Sequence, residues 1–249
     1  MCSDNTACRL IKRLYMSIIR ANCRDRLSSE DVDFIQSVLG SDEGDRNVLV
    51  DLLTDADSRD SILDESKLVS AIQDRAEWLT ISSQLYFYLL VRHCFQARSI
   101  TDRDVADYVA DLLAKFASAK RVASPLPDAD HVFDRVCDLL AALQDQNAEG
   151  RFLIRTHIAN YSLFLSGIFP ERIARRKERR GTPGLDFYEQ LGQANYQEAS
   201  TLHLAGEYDL HEVFEQLAHW FREIRVSLND LADRFLSVGT SDADILPAQ

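Results

Sequence analysis

Glycine and proline are both scarce in this chain of 249 residues, which contains only nine glycines and five prolines. Neither residue occurs between Gly44 and Pro125, nor between Gly206 and Gly239. Sheets need a tight turn every strand or two, and those turns favour glycine, asparagine or proline. The shortage therefore excludes a protein of many strands and turns, and it predicts helices joined by corners rich in Asp and Ser.

Cysteine is infrequent and forms no recognisable pattern. The odd number of cysteines and their wide separation, without any C-x-x-C, favour reduced thiols in the cytosol over a disulfide framework or a zinc site. The N-terminus lacks the apolar stretch of a signal peptide. The longest uncharged runs, 78–91 and 156–170, are shorter than the roughly 20 residues that a bilayer span needs. We therefore expect a cytoplasmic protein with no integral membrane association. The cysteines are Cys2, Cys8, Cys23, Cys94 and Cys137.

Common catalytic signatures are absent as well. The chain has no G-x-S-x-G, no G-x-G-x-x-G, no G-K-[ST] and no H-E-x-x-H. These motifs supply a nucleophile elbow, phosphate-binding loops and a zinc-binding helix. Helical enzymes exist without them, so their absence lowers the expectation of catalysis without removing it. We expect no cofactor.

The net charge is −12, from 40 acidic and 28 basic residues. Affinity for nucleic acid depends on neutralising phosphates with Lys and Arg, so general nucleic-acid binding is disfavoured. The charge is unevenly distributed, however. Residues 1–26 and 170–180 each carry six cations against two acids, whereas residues 27–74 carry thirteen acids against three cations. Two basic islands in an acidic chain favour local binding of a partner, through one of the islands or the acidic region between them.

The remaining signal is a strong helical pattern. Capping residues precede acidic first turns at Ser28 and Thr101, and Thr182-Pro183 predicts a further helix start. The apolar segment 79–98 could be a buried strand, but its pattern continues without a breaker, so we predict a central helix. The sequence therefore predicts an all-α fold, an irregular multi-helix bundle of about ten helices.

Pro125 and Pro127 mark the best candidate boundary in the chain. On this basis we predict an N-terminal helical lobe over 1–122, a C-terminal helical lobe over 128–238 and a flexible tail over 239–249. The alternative is a single domain in which the proline segment only connects two helices.

The first basic island predicts an amphipathic helix over about 7–24, with Arg9, Arg13, Arg20 and Arg24 on one face. That face would suit an anionic membrane surface or an acidic partner. Aromatic anchors for a membrane are lacking, so a terminal helix packed on the core is the preferred interpretation.

The second basic island, FPERIARRKERRG at 169–181, is denser. We interpret it as an arginine-rich loop, because Pro170 ends the preceding helix. The planar fork of arginine suits carboxylate or phosphate groups, so a protein partner is favoured and RNA or a nucleotide is an alternative. A loop that is merely solvated, or paired with the protein's own acids, is the plainer interpretation. The candidate partner-binding residues are Arg172, Arg175, Arg176, Lys177, Arg179 and Arg180.

A weak metal hypothesis comes from the long C-terminal helix predicted here. His211, Glu215 and His219 are spaced i, i+4, i+8 and share one face. An apolar stripe from Leu210 to Phe235 lies on the other side, so the His/Glu strip should face water. We therefore expect no metal. The apolar stripe could be buried in the core or in a homodimer.

Arg151 and His157 form an R-x5-H pattern that resembles the motif of HEPN-type ribonucleases. His157 lies on the apolar side of the predicted helix 151–168, where an imidazole has an easily shifted pKa. The resemblance implies metal-independent RNA cleavage by an arginine and a histidine on a helical bundle. A structural core histidine is the preferred interpretation.

The segment YSLFLSGIFPE at 161–171, followed by GLDFYEQLG at 184–192 and Tyr196, resembles a family of uncharacterised helical bacterial proteins. The resemblance implies a bacterial, cytoplasmic origin and attaches no function. From the residues themselves, Gly167 should let the helix end before Pro170, and Gly184 and Gly192 should allow close approach near aromatic side chains.

Together these observations favour a non-enzymatic helical interaction module or accessory subunit. The alternative is a helical-bundle enzyme that uses Arg151 and His157.

Overall fold

A computed structural model describes residues 18–40, 45–74, 80–122 and 132–236 of the chain. These ranges contain thirteen α-helices, two short 3-10 helices and no strand, which confirms the predicted all-α fold. The boundary predicted at Pro125 and Pro127, the tail 239–249, and Arg9 and Arg13 of the predicted first helix lie outside the described residues. No helix in the described ranges is long and apolar enough to cross a membrane.

The helices follow one another with short connections. They are α1 (Ser29–Leu39), α2 (Asp45–Thr54), α3 (Ala56–Leu63), α4 (Ser66–Asp74), α5 (Ser83–Gln96), α6 (Arg103–Val122), α7 (Val132–Ala142), α8 (Ala148–Ile168), α9 (Pro170–Arg180), α10 (Leu185–Ser200), α11 (His203–Glu207), α12 (His211–His219) and α13 (Phe221–Phe235). The 3-10 helices are Arg24–Arg26 and Leu143–Asp145.

The chain divides into two compact units. One, the 22–117 unit, consists of Asn22–Ala117 together with the chain from Asp230 onward. The other, the 118–229 unit, consists of Ser118–Asn229 together with the chain up to Ala21.

The start of α1 confirms the cap predicted at Ser28. The Ser28 hydroxyl accepts a hydrogen bond from the Asp31 amide at 3.2 Å, and the Asp31 carboxylate accepts one from the Ser28 amide at 2.9 Å. The second carboxylate oxygen of Asp31 accepts from the Ser82 amide at 2.7 Å. Because Ser82 itself caps α5, one buried aspartate fixes the starts of two helices. The helical prediction for 79–98 is also confirmed, with α5 buried along most of its length.

The predicted helix over 7–24 is wrong in its last part. Residues 18–23 are not helical, and only Arg24–Arg26 form a 3-10 turn. The reason is that Asp107 draws this segment into an irregular path, since its carboxylate accepts hydrogen bonds from the Cys23 amide at 2.6 Å and the Arg24 amide at 3.3 Å. Arg24 therefore does not lie on a solvated helix face. Its guanidinium pairs instead with Asp60 and Asp107 inside the 22–117 unit.

A second buried ion network joins α3, α5 and α6. Arg92 holds both carboxylate oxygens of Asp64, at 2.8 and 3.1 Å, and donates to the carbonyl oxygens of Ile100 and Thr101. Arg103 reaches the same carboxylate at 2.7 Å. Burial alone would raise the pKa of Asp64, but the hydrogen bonds and charges of Arg92 and Arg103 outweigh it and lower that pKa.

Replacing Asp64 with Asn should destabilise the 22–117 unit by about 3 kcal/mol at pH 7, because Arg92 is left buried without its anionic partner. The stabilisation exists above the unfolded-state pKa of about 4 and is lost as pH falls through the lower folded-state pKa. We therefore expect the free energy of unfolding, measured by urea denaturation, to be lower for Asp64→Asn than for the wild type. This difference in free energy should narrow as the pH falls below about 4. Asp57→Asn, at an exposed carboxylate, is the control and should change stability by less than about 0.5 kcal/mol. Equal losses for the two variants would contradict this role of Asp64.

In the 118–229 unit, α10 packs against α8 and α12, and two glycines permit close contacts. A Cβ on Gly192 would collide with the Phe221 ring, which confirms the close approach predicted there. Gly167 has a different role from the one predicted. The helix continues through it to Ile168, and a Cβ at Gly167 would stand 2.9 Å from the Leu228 side chain. Gly167 therefore makes room for a neighbouring helix and does not end its own.

The long C-terminal helix predicted from the stripe is wrong as a single element. It is divided at Trp220 into α12 and α13, although the Ile224 amide still donates to the Trp220 carbonyl at 2.9 Å. Of the two places left open for the apolar stripe, the core is where its residues lie on both sides of the division, since Leu210, Phe221 and Leu231 are each 0% exposed.

Replacing Gly192 with Ala should cost about 1–3 kcal/mol, because the Phe221 ring or the backbone of α10 must move to admit the methyl group. Gly206→Ala is the matched control, since a Cβ there meets nothing within 4 Å. That control should be neutral or stabilising by up to about 1 kcal/mol. The two substitutions can be compared by thermal denaturation, and equal midpoints would show that Phe221 accommodates the methyl group freely.

Candidate functional site

The arginine-rich segment is the helix α9, so its prediction as a loop is wrong. Pro170 occupies the first turn, where its missing N–H costs nothing, and Glu171 lies beside the helix N-terminus. Lys177 lies in the last turn, where cations favour the helix dipole, and Gly181 closes the helix with φ of 64°. The same Pro170 that ends α8 therefore begins the next helix.

The helical conformation arranges four arginines in one stripe. Arg172, Arg175, Arg176 and Arg179 follow the spacing i, i+3, i+4, i+7, which places them along one side of α9 over about 10 Å. Arg175 and Arg179 are exposed, and Arg172 and Arg176 are half-buried. Like charges at i, i+4 destabilise an isolated helix. We refer to these four residues as the arginine stripe.

A single apolar residue, Ile173, packs α9 against the rest of its unit. We refer to this packing contact as the seat of α9. Ile173 is 3% exposed and packs with Leu165 of α8 and Tyr188 of α10. The half-buried side chains around this cluster are Tyr161, Phe169, Leu185 and Phe187. The seat faces away from Arg175 and Arg179, which project from the other side of the helix.

The half-buried part of the stripe lies beside aromatic side chains. Burial and the charge of Arg172 lower the pKa of Arg176, while the hydroxyls of Tyr188 and Tyr161 act in the opposite direction. Because the ordinary pKa of arginine lies far above neutral pH, Arg176 remains charged at physiological pH. Burial raises the pKa of Tyr188, which therefore remains a neutral hydroxyl beside it. The stripe combines permanent positive charge with phenol groups at one edge.

Three exposed cations of α9 form no ion pair in the part of the chain that the structure describes. Arg175, Lys177 and Arg179 form no ion pair with any residue in the described ranges, although the Arg175 Nε donates to the Glu171 carbonyl at 3.4 Å. This contrasts with the 22–117 unit, where the buried Arg92 holds the Asp64 carboxylate bidentately. Unpaired guanidinium forks can bind carboxylates or phosphates with two parallel hydrogen bonds each.

The structure does not place Arg151 and His157 on one face. Both belong to α8, about 120° apart around its axis and about 9 Å apart along it. Arg151 is exposed, whereas His157 is half-buried and its ring stacks on Tyr161 with 6.3 Å between centroids. His157 thus lies at the aromatic edge of the stripe, on the same helix face as Tyr161.

The His/Glu strip of α12 faces solvent, as predicted, since His211, Glu215 and His219 are all exposed. His211 Nδ1 lies 2.9 Å from the Ser200 carbonyl and its Nε2 lies 3.6 Å from Glu215. His219 packs edge-on against Trp220. No group of three His, Cys, Asp or Glu side chains in the described ranges is placed to hold a metal ion, so the metal alternative has no support there.

Two features of the site are not predicted from the sequence. The sequence shows the spacing of the four arginines once a helix is assumed. The packing contact of Ile173 and the tyrosines beside the stripe depend on how α8 and α10 pack against α9. A usable signal was the interval of four between His157 and Tyr161, which places both on one helix face.

Comparisons with known proteins give no further guide to this site. No protein-family model, curated protein or solved structure matches the chain.

Replacing Ile173 with Ala should release α9 from its seat. Removing a buried isoleucine costs about 2–5 kcal/mol, and a helix whose like charges repel has little stability of its own. Hydrogen exchange should therefore accelerate in 170–180 while the amides of α8 keep their protection. Ala174→Ser, on the exposed side of α9, is the control and should leave exchange unchanged. Retained protection of 170–180 in Ile173→Ala would contradict this account of the seat.

Proposed function

We propose that this chain is a non-enzymatic, cytoplasmic helical interaction module or accessory subunit that binds an acidic protein partner through the arginine stripe of α9. The observation that carries the proposal is the pair Arg175 and Arg179, which are exposed, one helical turn apart and without an ion-pair partner in the described residues. The cytoplasmic assignment is supported by three free thiols, at Cys23, Cys94 and Cys137.

The chemistry of the stripe suits carboxylates in a short segment better than an extended polyanion. The usable exposed charge is confined to about two helical turns, and the chain around it carries a net charge of −12. A long nucleic acid would bring many phosphates into that negative field, whereas its affinity depends on many neutralised phosphates. The carboxylates of an acidic peptide segment can pair with the arginines of the stripe without the peptide extending beyond it.

The aromatic edge supplies the remaining part of the surface. Tyr161 and Tyr188 contribute phenol groups beside Arg176, and tyrosine and arginine are the residue types that most often carry binding energy at protein interfaces. A partner that reaches from Arg179 to this edge would bury both kinds of side chain. The proposed binding surface is therefore the stripe together with these two tyrosines.

Replacing Arg175 and Arg179 together with Ala should weaken binding of an acidic peptide about tenfold. Two exposed ion pairs at about 0.7 kcal/mol each sum to about 1.4 kcal/mol, which is a factor of ten in affinity. Fluorescence anisotropy of a labelled glutamate-rich peptide measures the change, with thermal denaturation confirming an intact fold. The control is Arg222→Ala with Arg234→Ala, two exposed cations elsewhere whose loss removes the same charge.

Single-stranded RNA of matched length serves as the competing probe. Tighter binding of RNA than of the peptide, or equal affinity of both arginine variants, would overturn the proposal. RNA cleavage by the wild type that is lost in His157→Ala without a change in melting temperature would favour the ribonuclease alternative with Arg151 and His157.

A further inference from the structure

Helix α2 presents an exposed face that no described part of its unit covers. Val48 is 58% exposed and Leu52 is 43% exposed, and their spacing of four residues puts them side by side. Exposed valine and leucine occur singly on most surfaces, but two adjacent ones form a continuous apolar strip one turn long. An uncovered strip of this kind is typical of a binding surface when polar groups border it.

Carboxylates border the strip. Asp51 lies three residues after Val48 and is exposed, with no ion pair to a residue in the described ranges. Asp55 directly follows α2 and is also exposed, and one of its oxygens accepts from the Ser58 amide at 2.9 Å. Hydrogen bonds from Ser58 lower the pKa of Asp55, so it stays ionised at neutral pH. The face is therefore apolar at its centre and anionic at its side.

The arginine stripe of α9 has the complementary layout. Arg175 and Arg179 lie one helical turn, about 6 Å, apart on α9, and Asp51 and Asp55 are likewise four residues apart, in the last turn of α2 and at the residue that follows it. An arginine carries a methylene stem as well as a charged fork, and the stem covers apolar surface while the fork stays at the polar rim. One arginine side chain can thus cover the apolar residues of the α2 face with its stem and pair with a bordering carboxylate through its guanidinium group.

We propose that α9 of one molecule docks on α2 of a second copy of this chain, with Arg175 and Arg179 pairing with Asp51 and Asp55 and their stems covering Val48 and Leu52. The occupant is a second copy because the chain itself carries both matching surfaces, one in a region of thirteen acids against three cations and the other in a segment of six cations against two acids. This inference extends the proposed function, since it uses the same stripe.

The two surfaces differ, so the contact is heterologous. A head-to-tail contact leaves one unused stripe and one unused α2 face at the ends of every assembly, and growth continues unless the geometry closes a ring. Self-association and capture of another acidic partner would also exclude each other at the stripe.

Sedimentation velocity over a range of protein concentrations tests the proposal. We expect the wild type to associate with rising concentration at about 0.1 M salt and to dissociate at about 1 M, where the screening length falls from about 10 Å to about 3 Å. Arg175→Glu with Arg179→Glu should weaken association at least tenfold, and so should Asp51→Arg. The control Arg222→Glu with Arg234→Glu changes the net charge equally and should associate like the wild type.

Mixing two deficient variants gives the sharpest result. The Asp51→Arg chain keeps its stripe and the Arg175→Ala, Arg179→Ala chain keeps its α2 face, so together they should form a one-to-one complex that grows no further. A wild type that is monomeric at every concentration, or a mixture without complex, would overturn the inference.

The proposed function is tested separately by the same variants. Asp51→Arg should bind the glutamate-rich peptide with unchanged affinity, because its arginines are intact. If that variant self-associates like the wild type while the stripe variant loses peptide binding, the second-copy inference fails and the proposed function stands.

Discussion

The packing of Ile173 between Leu165 and Tyr188 is the contact on which the arginine helix depends. An eleven-residue helix with six cations cannot be stable in isolation, because its like charges repel and short helices are marginal in water. Pro170 and Gly181 define its ends, but ends alone do not hold a helix in place. One buried isoleucine leaves the opposite side of the helix facing outward, and that orientation presents Arg175 and Arg179.

The chain uses its arginines in two opposite ways. In the 22–117 unit, the half-buried Arg24 and the buried Arg92 are held by carboxylates, with Arg24 pairing with Asp60, Asp104 and Asp107. Breaking such a pair leaves an uncompensated charge, so these arginines specify how helices meet. In α9, Arg175 and Arg179 have no such partner in the described residues. The difference separates arginines that hold helices together from arginines whose guanidinium groups remain exposed.

The sequence predicts the fold class well because helical periodicity, caps and scarce glycine all act locally. Ser28 and Gly192 illustrate this. The helix cap at Ser28 and the close approach at Gly192 can both be predicted from a few neighbouring residues. Local signals fail where a distant residue decides the outcome. Asp107 binds the amides of Cys23 and Arg24 from more than 80 positions away, and Leu228 occupies the space that a side chain at Gly167 would need.

The candidate site shows the same division. Its residues are identifiable from composition alone, because arginine clusters are rare in an acidic chain. The loop predicted for them is wrong, because Pro170 both ends α8 and occupies the first turn of a new helix. The aromatic edge depends on α8 and α10 meeting α9, which is tertiary information that no local pattern contains.

The energetics of exposed arginines constrain what the stripe can bind. A single solvent-exposed ion pair contributes at most about 1 kcal/mol, so affinity must come from several pairs formed together and from apolar surface removed from water. The stripe provides the pairs, and its methylene stems and neighbouring tyrosines provide the apolar surface. A suitable ligand therefore combines carboxylates at helical spacing with apolar side chains between them, and an amphipathic acidic helix meets both requirements. An anionic ligand without apolar groups would gain only the screened, salt-sensitive part of the interaction.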